Sequence, residues 1–433
     1  MSTAPQSGRV CFSSPVPQID PVLLSDARIL AAYAIFAGSY FVFALGKFPW
    51  MKIDRPGAAI IGAVLMVAFR IVGAQEALQS IDFATIVLLF SMMVVVANLR
   101  LGGFFERVAE WIVERLQPHH LLPTVIFTCG LLSAFLVNDI VCLVMTPFVL
   151  HMARRLGLPP VPYLVAVATA SNIGSVATIT GNPQNMLIGS LSGISYTKFL
   201  AQLGPIAAGG LVLNWAVIHW FSARGMSDRA PVATVLSEPE FQYQAVRKKP
   251  VVVLVFVLLG FLAGVPPAMM AAIGAALLLI TRSVEPRKVY EDIDWGLLVF
   301  FVGLFIIVAG AHRAGLTDIL LGPIASWDLH RLAVFVPVTA VFSNVVSNVP
   351  AVMLLRTVVG DFPDPEAGWL ALAMASTLAG NLTITGSVAN IIVVERAAAE
   401  GVEIEFRDYI RVGVPVTIAT LVFGTAWLWL SGS

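Results

Sequence analysis

Charge is what this 433-residue chain lacks most. Asp, Glu, Lys and Arg make up only 12% of it, about half the share of a soluble domain, and that is too little to hydrate the surface of a chain this long. The 26 basic and 26 acidic residues cancel. No basic excess remains to displace counterions, so nucleic acid is excluded as a partner. Cysteine is scarce as well: Cys11, Cys129 and Cys142 form no CxxC pair and no ligand cluster, which argues against a disulfide framework or a structural zinc. His119 and His120 have no spaced partners and make no metal site. There is no GxxxxGK[ST] loop, Rossmann glycine pattern, H-E-x-x-H, or haem or flavin motif, so no cofactor is expected and the chain does not drive ATP hydrolysis by itself. A separate soluble ATPase partner is compatible with these absences. Polar clusters without His or paired acids supply no nucleophile and base, which points to a transporter and not an enzyme.

What the chain has is apolar length. Hydrophobic residues make up 58% of it and its mean hydropathy is +0.87, as expected of an integral protein of the lipid bilayer. Runs near the ~20 residues of a membrane span fall at 28–47, 57–74, 83–99, 161–190, 200–221, 250–266, 267–282, 296–312, 367–394 and 408–430. Two more, 121–152 and 330–356, fit either one tilted span or a hairpin that enters and leaves on one side. Basic residues mark cytoplasmic loops. Lys52 and Arg55, then Arg100, Arg107 and Arg115, then Arg154 and Arg155 all vote inside, and this is consistent only if 121–152 is a re-entrant hairpin. The same count puts Arg224 to Lys249 and Arg282 to Lys288 inside, the acidic connector Asp361, Asp364 and Glu366 outside, and both termini outside. The stretch 104–116 is amphipathic and fits a helix in the cytoplasmic interface, with a counterpart near 313–328 on the other face.

An internal repeat supports this topology. Residues 170–185, ASNIGSVATITGNPQN, and 375–390, ASTLAGNLTITGSVAN, agree at seven of sixteen positions with a constant offset of 205. Ser133 and Asn138 stand five apart, as do Ser343 and Asn348, and Ile81-Asp82-Phe83 and Ile293-Asp294-Trp295 each open a span. Five spans per copy is an odd number, so the second copy lies upside down relative to the first. The expected fold is an all-α polytopic membrane protein of two inverted-topology repeats, each of five transmembrane helices plus one re-entrant helical hairpin. Its parts are an N-terminal tail (1–27), a first repeat (28–221), a cytoplasmic linker (222–249) and a second repeat (250–430). Chemistry is expected where the copies meet at the midplane.

The polar residues inside apolar sequence gather at four places. Asn172, Thr178, Thr180, Asn182 and Asn185 surround Gly181-Asn182-Pro183, where Pro183 must break a helix; Asn381, Thr383, Thr385, Ser387 and Asn390 mirror them. Broken backbone at membrane depth survives only in protein or beside a cavity, and its free N–H groups suit anions while its carbonyls suit small cations. The competing role for these residues is close helix packing. The hairpins contribute Asn138 and Asp139, and Ser343, Asn344, Ser347 and Asn348. Asp139 is an isolated carboxylate in apolar surroundings, which either carries a proton or meets a cation. It is the candidate coupling site for H⁺, or alternatively Na⁺, and its rival role is a helix cap at the hairpin tip. Val349 stands at the matching place in the other half. Asp82 and Asp294 are read as caps of the spans they precede.

VNDIVCLVMTP at 137–147, SNIGSVATITGNPQNMLIG at 171–189, SNVVSNVPAVMLL at 343–355 and AGNLTITGSVANIIVVE at 379–395 together resemble the ion transporter superfamily. That superfamily includes arsenite efflux permeases, sodium/proton antiporters, and citrate and divalent-anion/sodium symporters. The resemblance implies inverted repeats, hairpin tips facing the centre, and often a homodimer with a scaffold and a moving transport domain. The Ser-Asn-Thr motifs of the divalent-anion symporters would fall near Ser133 to Asp139 and Ser343 to Asn348, and neither copy reads Ser-Asn-Thr. The resemblance therefore implies export of arsenite or a related small inorganic anion or neutral oxyacid from a bacterial cell inner membrane, in exchange for protons through Asp139. Sodium-coupled anion or dicarboxylate symport, or sodium/proton antiport, is the alternative.

Overall fold

The computed structural model describes residues 21–46, 52–115, 120–222, 247–280, 284–316, 319–320, 322 and 327–432. Residues 223–246 of the expected linker, most of the N-terminal tail and part of the 313–328 stretch lie outside these residues.

The regular elements of the described residues are all helices, with no β-strand among them. The first half comprises α1 (Pro21–Leu45), α2 (Arg55–Ala68), α3 (Ala74–Ser80), α4 (Phe83–Leu101), α5 (Phe104–Arg115), α6 (Leu121–Phe135), α7 (Asn138–Arg155), α8 (Pro160–Ser175), α9 (Pro183–Ser192) and α10 (Tyr196–Ser222). The second comprises α11 (Lys248–Leu262), α12 (Pro267–Ile280), α13 (Pro286–Glu291), α14 (Trp295–Arg313), α15 (Leu332–Val346), α16 (Asn348–Val359), α17 (Pro365–Leu378), α18 (Val388–Ala399) and α19 (Phe406–Leu430). Five helices, within α1, α4, α10, α14 and α19, are long and apolar enough to cross a bilayer, and several shorter apolar ones accompany them. Large side chains such as Val64, Leu131, Leu259, Val341 and Val422 stand exposed along the apolar helices. The protein is an integral membrane protein whose outer surface is solvated by lipid.

The expected spans 161–190 and 367–394 are not continuous. α8 stops at Ser175 and α9 restarts at Pro183; α17 stops at Leu378, and two single 3₁₀ turns intervene before α18. Pro183 explains the first restart, since its missing N–H costs nothing in the first turn of a helix. The stretches 121–152 and 330–356 each fold as two helices, broken at Leu136–Val137 and at Ser347. α3 and α13 were not foreseen; at seven and six residues they are too short to show a helical period.

The helices pack as two bodies, α1–α4 with α11–α14 and α6–α10 with α15–α19, and α5 touches both through α4 and α7. Each body draws on both halves of the sequence. In the first, α2 lies parallel to α14: Gly296 faces Pro56, Gly303 faces Ala59 and Gly310 faces Met66. A Cβ on Gly303 would sit 2.5 Å from the Ala59 carbonyl oxygen, so only glycine lets these backbones approach so closely. α4 packs on α12. Arg100 near the end of α4 pairs with Asp292 just before α14, and Arg313 at the end of α14 pairs with Glu76 in α3, just before α4. α4 therefore runs against α14, and Asp82 and Asp294 lie at opposite ends of the molecule.

Candidate functional site

The broken segments meet at the centre of the second body, and their polar side chains first of all satisfy backbone that the breaks set free. The Asn185 amide donates to the carbonyls of Ser175 and Thr178, both at 3.0 Å. Asn390, 205 residues on, donates to the carbonyls of Gly380 and Thr383 at 2.7 and 3.0 Å. Asn182 caps α9 by accepting from the Asn185 N–H at 2.8 Å, and Ser387 caps α18 by accepting from the Ala389 N–H at 3.3 Å. In this way a buried carbonyl that lipid could not hydrate receives an amide proton in each half.

Asn172 joins the halves. Its Nδ2 donates to Asn381 Oδ1 at 2.9 Å and Asn390 Oδ1 at 3.0 Å, while its Oδ1 accepts from Asn138 Nδ2 and Ser387 Oγ, both at 3.0 Å. Thr178 bonds the Ala134 carbonyl and Thr180 lies 3.1 Å from the Tyr196 hydroxyl. Asn344 donates to the carbonyls of Ala340 and Ala379, Ser343 to the carbonyl of Ser376, and Thr383 lies 3.3 Å from Thr385. The Asn348 amide is 2.7 Å from Ser343 Oγ.

A cavity of about 190 Å³ opens between the two bodies against this layer. Of the residues expected at the site, Asn138, Asp139, Ser347, Asn348 and Ser387 line it. Asn172, Thr178, Thr180, Asn182, Asn185, Ser343, Asn344, Asn381, Thr383, Thr385 and Asn390 are not among its lining residues; of these, Asn172 bonds the lining residues Asn138 and Ser387, and Ser343 bonds Asn348. Two charged lining residues, Arg55 and Asp294, were not expected as site residues. Asp294 does cap its helix, accepting from the Leu297 N–H at 2.9 Å, and the cap reading concealed its second position. Arg55 was read only as a topological charge, and the one available signal was its proline-led helix start.

The lining has a common origin. Arg55 and Pro56 begin α2, Asn138 and Asp139 begin α7, Pro183 and Gln184 begin α9, Asp294 caps α14, Ser347 and Asn348 begin α16, and Ser387 and Val388 begin α18. Six helix N-termini thus converge on one small space. Each carries partial positive charge and first-turn N–H groups without intrahelical partners, which favours an anion there. Arg55 adds a full positive charge; its Nε is held by the Phe43 carbonyl at 3.0 Å. Asp139 is close enough to both Arg55 and Asp294 to interact with them electrostatically. Asp139 makes no hydrogen bond or ion pair among the described residues and caps no backbone N–H. Asn138 Oδ1, at the same wall, is buried and without a partner. These oxygens suit a small cation beside the anion.

One hairpin tip is strained. Ser347 sits at φ 78°, ψ 157°, a region that costs a non-glycine residue about 1–3 kcal/mol. Ser347→Gly should therefore stabilise the folded protein by about 1 kcal/mol, seen as a higher denaturation midpoint in detergent, and Ser347→Val should lower it.

A family model described as "CitMHS: Citrate transporter" matches residues 40–379. An uncharacterized transporter of Mycobacterium tuberculosis is 29% identical over 425 residues, covering 93% of this chain and 98% of that protein. A silicon efflux transporter of rice, Oryza sativa subsp. japonica, is 29% identical over 474 residues, with 93% and 98% covered. The crystal structure of the Alcanivorax borkumensis YdaH transporter superposes with a TM-score of 0.54 at 15% identity, covering 94% of this chain and 98% of that one, a likeness of fold alone.

Proposed function

The chain belongs to the citrate transporter family CitMHS, within the ion transporter superfamily, and from that premise we propose that it carries a small oxyanion of the carboxylate class together with a cation. It is a membrane transporter and not an enzyme, of the secondary kind that moves small anions or solutes. The finer reading is cation-coupled symport by alternating exposure of the cavity between the two bodies. The observation that carries it is the convergence of six helix N-termini on a space that also holds Arg55 and the unpaired Asp139. The helix starts and Arg55 favour the anion; Asp139, with Asn138 Oδ1 beside it, favours Na⁺ or H⁺. Each ion screens the charge of the other, so neither enters the apolar interior alone at low cost.

Two inverted repeats of five spans and a hairpin underlie this reading. The opposed directions of α4 and α14, the paired roles of Asn185 and Asn390 and the offset of 205 all support that arrangement. The division into residues 28–221 and 250–430 follows from it.

A second reading is proton-coupled exchange of a neutral hydroxo acid, arsenite among them. It is supported by two carboxylates facing a single arginine in the cavity, and by the rice relative named for silicon efflux. The deciding experiment is uptake into proteoliposomes of citrate, succinate, phosphate, arsenite and silicate under imposed Na⁺ or H⁺ gradients. Carboxylate accumulation driven by either cation is expected. Arsenite or silicate flux driven by protons, with carboxylates unmoved, would replace the first reading with the second.

Arg55→Gln separates the two as well. Losing a charge-assisted contact should raise the KM for a carboxylate by about 10- to 100-fold while maximal rate changes less. A neutral hydroxo acid would show little change.

A further inference from the structure

Asp82 and Asp294 hold matched places: each follows an isoleucine, precedes an aromatic residue and caps a helix of the first body, at opposite ends of the molecule. Their surroundings differ. Asp294 stands exposed on the open cavity and, among the described residues, accepts only from its own helix. Asp82 is half-buried, and both its carboxylate oxygens accept the Ser190 hydroxyl, at 3.0 and 2.9 Å. Ser190 belongs to α9 of the second body, and Arg356 of α16 in that same body is close enough to Asp82 to interact electrostatically. A charged hydrogen bond therefore crosses between the bodies at one end, while the cavity opens between them at the other.

We infer that Ser190 is a positioning residue of the transport cycle: its bond to Asp82 latches the two bodies together at the Asp82 end while the cavity is open at the Asp294 end, and it breaks when the opening reverses. The inference rests on the alternating exposure proposed above. A hydroxyl on a carboxylate is stronger than a neutral pair, yet water replaces it when the interface parts, so the net bias is modest. A modest bias is what a cycle requires, because cargo can shift an equilibrium only by its own difference in affinity for the two states. Ser190 touches neither cavity nor cargo, so its effect should lie in which end is open.

The test places a single reporter, Val388→Cys on the cavity wall, in full-length protein with Cys11, Cys129 and Cys142 replaced by alanine. A membrane-impermeant maleimide is added to one side of proteoliposomes at a time, and the readout is the ratio of labelling rates from the two sides. Ser190→Ala should raise labelling from the Asp82 end, relative to the Asp294 end, roughly five-fold or more. Ser190→Thr, which keeps the hydroxyl, should return the ratio to the parent value. Asp82→Asn, which can still cap α4, should shift it in the same direction as Ser190→Ala, and it serves where that variant fails to fold. An unchanged ratio in a folded Ser190→Ala or Asp82→Asn protein overturns the latch. Labelling needs no cargo, so the outcomes separate: a shifted ratio with no flux of any anion sinks the carboxylate reading and leaves the latch, whereas robust flux with an unshifted ratio does the opposite.

Discussion

Asp139→Asn is expected to reduce gradient-driven anion transport by roughly 100-fold or more, while the protein still inserts, folds and melts near the parent temperature. The structural cost is small because Asp139 takes part in no hydrogen bond or ion pair among the described residues, and asparagine has nearly its shape. The functional cost is large because the substitution removes a negative charge from a cavity wall made of helix N-termini and an arginine. About 3 kcal/mol of cation binding corresponds to a hundred-fold change, and a lost charge in a poorly hydrated site reaches that size. Uptake of the tested anions measured with and without the cation gradient decides it. Full gradient-dependent accumulation in the variant would remove Asp139 from coupling. Asp294→Asn should cost less, since Asp294 is exposed and already engaged as a cap.

Asn172→Ala is expected to lower stability by about 3–5 kcal/mol, the largest loss from any single polar substitution at the site. Asparagine at this position satisfies two acceptors and accepts from two donors, and three of these four partners are buried asparagines. Each orphaned buried group costs ~1–3 kcal/mol, and the losses are not additive because the partners share one network. The loss also falls at the junction between halves, so it should appear as a lower unfolding midpoint and not only as slower transport. Thr377, 205 residues on, accepts from Asn182 and Gln184 at 3.2 Å each; Thr377→Ala should cost about 1–2 kcal/mol. Equal and small losses for both would contradict the reading of Asn172 as the joint.

The sequence made the membrane class and the order of elements legible, because charge is scarce and apolar runs have a characteristic length. The broken segments were legible from Pro183 and from the offset of 205, since a repeat of polar residues in apolar sequence must answer to backbone that lipid cannot satisfy. What the sequence did not separate is lining from support. Asn185 and Ser387 look alike as small polar residues at a break, yet one feeds protons to carbonyls behind the wall and the other forms the wall. That distinction depends on rotation about the helix start, which no period records in a segment this short. Arg55 and Asp294 were hidden for another reason: both belong to the first body, far in sequence from the hairpins, and only the packing of α2 beside α14 brings their helix starts to the cavity.

If one cavity binds anion and cation together and each aids the other, the affinity for the anion must depend on the concentration of the cation. The most direct measurement is citrate binding by calorimetry to protein in nanodiscs at ~1 mM and ~100 mM Na⁺, repeated at two proton concentrations. The expected result is a Kd that tightens about ten-fold or more with one of the two cations in the parent protein and stays flat in Asp139→Asn. Citrate binding that is indifferent to both cations, or tightening that survives in Asp139→Asn, would contradict it.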